Sequence, residues 1–203
     1  MPVNHFITLI KINFMKTRNF LSATLVTGLL LITGASFAQK TEKTKMVGGA
    51  AMYPSKNIVE NAVNSKDHTT LVAAVKAADL VETLQSKGPF TVFAPTNAAF
   101  DKLPKGTVET LLKPENLKTL QAILTYHVLA GKFSAADLAK KIKAGNGKAT
   151  LKTVSGGILV ASMKGKSIIL TDEKGSISTV TIADVNQSNG VIHVVDTVVL
   201  PKS

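Results

Sequence analysis

Residues 191–200 read Val-Ile-His-Val-Val-Asp-Thr-Val-Val-Leu, apolar at both odd and even positions. Side chains of a strand alternate between its two faces. A strand of this kind needs cover on both, so it belongs at the centre of a layered fold. The preceding segments indicate the layers. Ala149 to Val154, Ile158 to Met163, Ser167 to Thr171 and Ser178 to Asp184 are strand-like runs at intervals of about ten residues. Glycines at 156–157, 165 and 175 punctuate them, and the pattern predicts an antiparallel meander. Val128-Leu129-Ala130 is a shorter strand, followed by a helix over 134–141 and a turn at Gly145-Asn146-Gly147.

The first half has helical spacing. Ser55 is placed to cap a helix over 57–64, and Asp67 to cap a longer one with Leu71, Val72, Val75 and Ala78 on one face. Leu80, Val81 and Leu84 make a short helix that Gly88-Pro89 ends. Val108 to Leu112 is another. Glu115 to Thr125 puts Leu117, Leu120, Ile123 and Leu124 on one face, with Pro114 tolerated at its start. Helices first and strands later argue for α+β.

One strand interrupts the helices. Gly-Pro-Phe-Thr-Val-Phe-Ala-Pro-Thr-Asn-Ala-Ala-Phe, residues 88–100, changes from strand to helix within a few residues. A nucleophile elbow at such a corner needs Gly-x-Ser-x-Gly. Here the corner holds Thr96 and Asn97, with no Ser and no flanking Gly. Both are helix-capping residue types, so the corner reads as architecture.

The chain begins unlike the rest. Met15-Lys16-Thr17-Arg18 is basic, Phe20 to Phe37 is apolar or small, and Ala35-Ser36-Phe37-Ala38 ends the run with small residues. This predicts a secretory signal over 1–38 cut before Gln39, with translation from Met1 or Met15. Thr and Gly within the run weigh against a permanent membrane span. Residues 39–53 are expected to be a flexible linker and 54–201 one domain. The expected location is the periplasm or the cell exterior. Cleavage would remove Lys11, Lys16 and Arg18 and no acid, leaving 21 Lys against 13 Asp and Glu, a net charge of +8. Reading nucleic-acid bases favours Arg. A Lys-only surface suits diffuse attraction to anionic polymers, so no nucleic-acid partner is expected.

There is no Cys, which excludes catalytic thiols and Cys-based zinc sites. The remaining histidines, His68, His127 and His193, are far apart and form no metal-binding motif, so no metal or other cofactor is expected. His193 and Asp196 fall on opposite faces of their strand, where they cannot pair. Lys140, Lys141, Lys143, Lys148 and Lys152 flank the 145–147 turn, either as contacts for an anionic partner or as a solvated loop.

Three segments in order carry a resemblance. They are Phe90 to Phe100, Leu124-Thr125-Tyr126-His127-Val128-Leu129, and Asn189-Gly190-Val191-Ile192-His193-Val194-Val195-Asp196. Together they resemble the fasciclin domain, whose signature positions here are Thr91, Phe93, Pro95, Thr96, Asn97, Phe100, His193 and Asp196. The resemblance covers about residues 54–201. It implies a wedge-shaped antiparallel β-sandwich with an N-terminal helical layer. It also implies a non-catalytic adhesion or binding module for cell-envelope or extracellular-matrix components, an anionic polysaccharide or a surface protein. In animal members the Tyr-His segment is implicated in integrin binding, which would fall here on Tyr126, His127, Val128 and Leu129. A buried, hydrogen-bonded His127 is the competing reading. A second function stands beside adhesion. Ala73, Ala74, Ala77 and Ala78 are small residues that would leave room for an apolar ligand, if the cavity reached about 300 Å³.

Overall fold

A computed structural model describes residues 43–202; the expected signal segment 1–38 lies outside the described residues. The described part begins with a hairpin, β1 (Lys45–Val47) and β2 (Ala50–Met52), turning on Gly48 and Gly49. Both glycines have positive φ, +57° and +75°, as a tight hairpin turn requires. Val47 and Met52 are buried in the core. Residues 45–52 are therefore a built element, where the sequence reading expected a linker. The Gly-Gly pair between two short apolar runs is the signal for it.

Helices α1 (Ile58–Ala62), α2 (Thr69–Ala77) and α3 (Val81–Gln85) follow, with a 3-10 turn at Lys66–His68. Asn57, not Ser55, caps α1 in a reciprocal capping box with Glu60. Strand β3 (Phe90–Pro95) leads into α4 (Asn97–Phe100), and then come α5 (Thr107–Leu111) and α6 (Leu117–Tyr126). Strand β4 (Val128–Ala130) precedes α7 (Ala135–Ala144). The meander is β5 (Lys148–Lys152), β6 (Ile158–Lys164), β7 (Ser167–Thr171), β8 (Ile177–Gln187) and β9 (Gly190–Val195). Among the described residues, no helix is long and apolar enough to cross a membrane.

The longer strands form one seven-stranded sheet in the order β4-β3-β9-β8-β7-β6-β5. It is mixed, because β3 runs parallel to β9 while the other pairs are antiparallel. This departs from the all-antiparallel sandwich expected. Sequence pattern does not specify strand direction between two doubly apolar strands. Their close approach depends on Gly190: a Cβ there would lie 2.2 Å from the Phe90 carbonyl oxygen.

Strand β9 is central and buried at every residue, as its two-faced apolarity requires. It stops at Val195 rather than running to Leu200. Its neighbours divide their side chains between two cores. Val92, Ala94, Val128, Ile192 and Val194 pack against the hairpin and α1, α2 and α6. Phe93, Leu129 and Val195 pack on the other side with Leu138 and Ile142 of α7 and with Leu151, Leu159 and Leu170 of the meander. Both ends of the sheet share this second core, so the sheet curls on itself. Two register shifts in β8, between Val180 and Ile182 and between Ile182 and Val185, accompany the bend.

Candidate functional site

The signature residues make their contacts within the fold. Thr96 caps α4, accepting a hydrogen bond from the Ala99 N–H at 3.2 Å. Asn97 reaches back to α2 instead. Its Oδ1 accepts from the Thr70 N–H at 3.0 Å, and its Nδ2 donates to the Lys66 carbonyl at 2.9 Å and to Thr69 Oγ1 at 3.0 Å. The corner thus supplies α2 with the cap that its own N-cap residue, His68, does not provide. Asn97→Ala should cost about 1 kcal/mol, the usual loss for a cap, read as a lower urea midpoint with unchanged slope. Thr91 is fully buried. Its Oγ1 donates to the Gly131 carbonyl at 2.7 Å and accepts from the Phe133 N–H at 2.9 Å, which fixes the approach to α7.

The Tyr-His segment is interior. Tyr126, His127, Val128 and Leu129 are all buried. The Tyr126 hydroxyl donates to the Ile158 carbonyl at 2.6 Å, and burial pushes its pKa up to about 12. Gly157 leaves room for the ring, since a Cβ there would sit 2.7 Å from it. His127 Nδ1 donates to the Ile123 carbonyl at 2.8 Å and Nε2 accepts from the Val199 N–H at 3.2 Å. It is a neutral imidazole joining the end of α6 to the C-terminal segment. Burial lowers its pKa to about 4. None of the four side chains faces solvent, so the segment offers a partner no contact surface in this conformation.

His193 and Asp196 do not meet. His193 stacks on Phe93 at 5.8 Å between centroids, holds the Phe133 carbonyl through Nε2 at 2.8 Å, and accepts from the Asp184 N–H at 3.3 Å. Asp196 accepts from the Thr179 N–H at 2.8 Å and forms a partly exposed ion pair with Lys102 at 3.8 Å. Pro95 is buried at the end of β3, and Phe100, the last residue of α4, packs against two core clusters.

Two structural residues were not named as site residues in the sequence, although Asn189 opens the third signature segment. Asn189 joins three segments, accepting from the Ile58 N–H at 3.0 Å and donating to the carbonyls of Leu84 and Ser86 at 2.8 and 2.9 Å. Asp172 accepts from Lys174, Ser176 and Leu200 backbone N–H groups at 2.9, 2.8 and 2.9 Å. The distant backbone groups that each side chain holds have no mark in the local pattern.

The lysines are what faces water. Lys140, Lys141, Lys143, Lys148 and Lys152 are all exposed. The structure divides them into two sets. Leu138 and Ile142 of α7 and Ala149 and Leu151 of β5 point into the same core. The outward sides therefore diverge, with Lys140, Lys141 and Lys143 on the helix and Lys148 and Lys152 on the far face of the sheet. Between them runs β5, the last strand of the sheet. Lys141 Nζ also lies 5.2 Å from the centre of the Phe133 ring. Pairing of Lys148 with Ser162 puts Lys164, two residues on, at the same end of the same face. Lys164 was not singled out in sequence, because only the register brings it there. Asp137 is the acid among the helix lysines, its carboxyl held below the usual range first by the Ser134 hydroxyl hydrogen bond. Among the described residues, no group of three or more His, Asp or Glu side chains is placed to hold a metal ion.

The apolar-ligand reading meets a smaller space than it needs. A cavity of about 90 Å³ lies between the hairpin, the first helices and the sheet. Of the four small residues, Ala74 and Ala78 are buried, whereas Ala73 and Ala77 are exposed.

A Fasciclin domain profile matches residues 66–201. Protein sll1483 of Synechocystis sp. is 48% identical over 167 residues, 80% of this chain and 83% of that protein. The cell surface glycolipoprotein MPB83 of Mycobacterium bovis is 32% identical over 169 residues, 81% of this chain and 68% of its own length. Among solved structures, a FAS1 domain pair from the insect cell adhesion molecule Fasciclin I superposes with a TM-score of 0.64 at 18% identity, covering 71% of this chain and 51% of the pair.

Proposed function

The chain belongs to the fasciclin domain family, and from that premise we propose that it is an exported, non-catalytic adhesion module whose lysine band around the β5 edge contacts an anionic polymer of the cell envelope or extracellular matrix. One observation carries this reading. The signature and Tyr-His side chains are committed to internal contacts, while all five lysines around that edge are exposed. A relative at the cell surface supports the location. Lysine suits the task, since its compact charge attracts carboxylate or phosphate polymers without demanding one geometry. Because the two lysine sets diverge, a flexible polymer bending around the edge engages both, and a flat rigid surface engages one.

Each exposed contact contributes about 0.2–1 kcal/mol, so affinity depends on several acting together. Binding to isolated envelope polysaccharide should weaken steeply as salt rises, because the screening length falls from about 10 Å at 0.1 M to about 3 Å at 1 M. Affinity unchanged over that range would place the adhesive contact on apolar surface elsewhere.

A further inference from the structure

Strand β5 ends the sheet, and among the described residues no strand pairs with its outer edge. Ladder phase decides which backbone groups that edge carries. In an antiparallel pair, residues alternate between exchanging both hydrogen bonds and turning both groups away. The Thr153 N–H donates to the Gly157 carbonyl at 2.9 Å, in the register that pairs Leu151 with Leu159 and Ala149 with Ala161. These residues bond across to β6. Thr150 and Lys152 alternate with them, so the N–H and C=O of both point away from β6. Ile158, opposite Lys152, agrees with this phase. It bonds on the β7 side instead, its N–H donating to Glu173 Oε1 at 3.0 Å.

The open stretch has definite ends. The Lys148 N–H is taken by the Gly145 carbonyl at 3.2 Å, and just past β5 the Val154 N–H joins the Val128 carbonyl of β4 at 2.8 Å. Between these ties Lys148, Thr150 and Lys152 are all exposed. We propose that this edge takes up an extended acidic polypeptide segment as an eighth strand. The proposal rests on the lysine band being the adhesive face and names the polymer that the band selects.

Charge chooses the occupant. A strand laid along β5 sends alternate side chains to the two faces of the sheet. One set comes beside α7 with Lys140, Lys141 and Lys143, and the other beside Lys148 and Lys152. Acidic side chains on either face therefore meet lysine, and the divergence of the two lysine sets becomes complementarity. A second copy of this chain does not fit. Two β5 strands paired antiparallel about Thr150 would set Lys148 opposite Lys152 twice, and like charges directly opposite repel. Edge lysines discourage neutral and basic strands in the same way, so an acidic one is selected. In this mode main-chain hydrogen bonds supply affinity and side chains supply specificity. A polysaccharide brings the charge without the strand amides.

The test titrates the full chain with three octamers that carry one carboxylate per unit: α-linked glutamate, γ-linked glutamate and galacturonate. Only the α-linked backbone has amides at strand spacing. It should bind about tenfold tighter than the γ-linked one, the worth of one or two net hydrogen bonds. It should also slow hydrogen exchange at the Thr150 and Lys152 amides. Thr150→Pro deletes one edge donor and leaves the ladder to β6 intact, a position where proline is tolerated. It should bring the two glutamate octamers to similar affinity. If that variant fails to fold, the comparison in the unaltered chain still decides. Equal affinity of the two glutamate octamers for the unaltered chain, or unchanged exchange at both amides, would overturn strand addition and leave the lysine band standing. Binding of galacturonate alone would overturn it too and make the partner a polysaccharide. No binding by any of the three would overturn the lysine band itself.

Discussion

His127→Ala should lower stability by about 3 kcal/mol, a combined effect of deletion from a packed interior and of orphaned polar groups. His127 is 3% exposed. Removing its ring strips the Val199 N–H of its acceptor and the Ile123 carbonyl of a donor, both in buried residues. Urea unfolding should show the loss as a lower midpoint, with polysaccharide binding by the folded fraction unchanged. Normal stability with lost binding would make His127 a contact residue, which its burial contradicts.

Acid should unfold the domain earlier than carboxylate titration alone explains. An unfolded histidine takes up its proton near pH 6.5, whereas His127 stays neutral until about pH 4. Between those values the unfolded chain binds the extra proton, so falling pH favours unfolding. The stability that neutral His127 contributes is complete above pH 6.5 and is lost progressively down to about pH 4. At about 1.4 kcal/mol per pH unit this amounts to about 3 kcal/mol. His193 and His68 are lowered as well, chiefly by burial, and act in the same direction. Melting temperatures at pH 7 and pH 4.5 measure the sum. A flat profile over that range would contradict the neutral buried imidazoles described here.

Local patterns made much of this architecture legible in the sequence. The two-faced apolarity of residues 191–195 placed β9 at the centre, and Thr96 announced a cap. Other features depended on contacts between distant segments. Nothing in the β3 or β9 pattern distinguishes a parallel from an antiparallel pair. Asn97 looked like a cap for its own helix, and only the packing of α4 beside the start of α2 gives it to another. The same holds for the lysines. Their closeness in sequence implied one patch, yet the alternation of β5 sends Lys148 and Lys152 to the face opposite α7, while register adds Lys164.

The most direct measurement is binding of the full chain to isolated envelope polysaccharide at 0.1 M salt, with Lys140, Lys141, Lys143, Lys148 and Lys152 intact or all changed to Gln. The five-fold variant should keep its melting temperature, because these side chains are exposed. It should lose binding by about tenfold or more, the joint effect of several weak surface contacts. Full binding by the Gln variant would contradict the lysine band as the adhesive face.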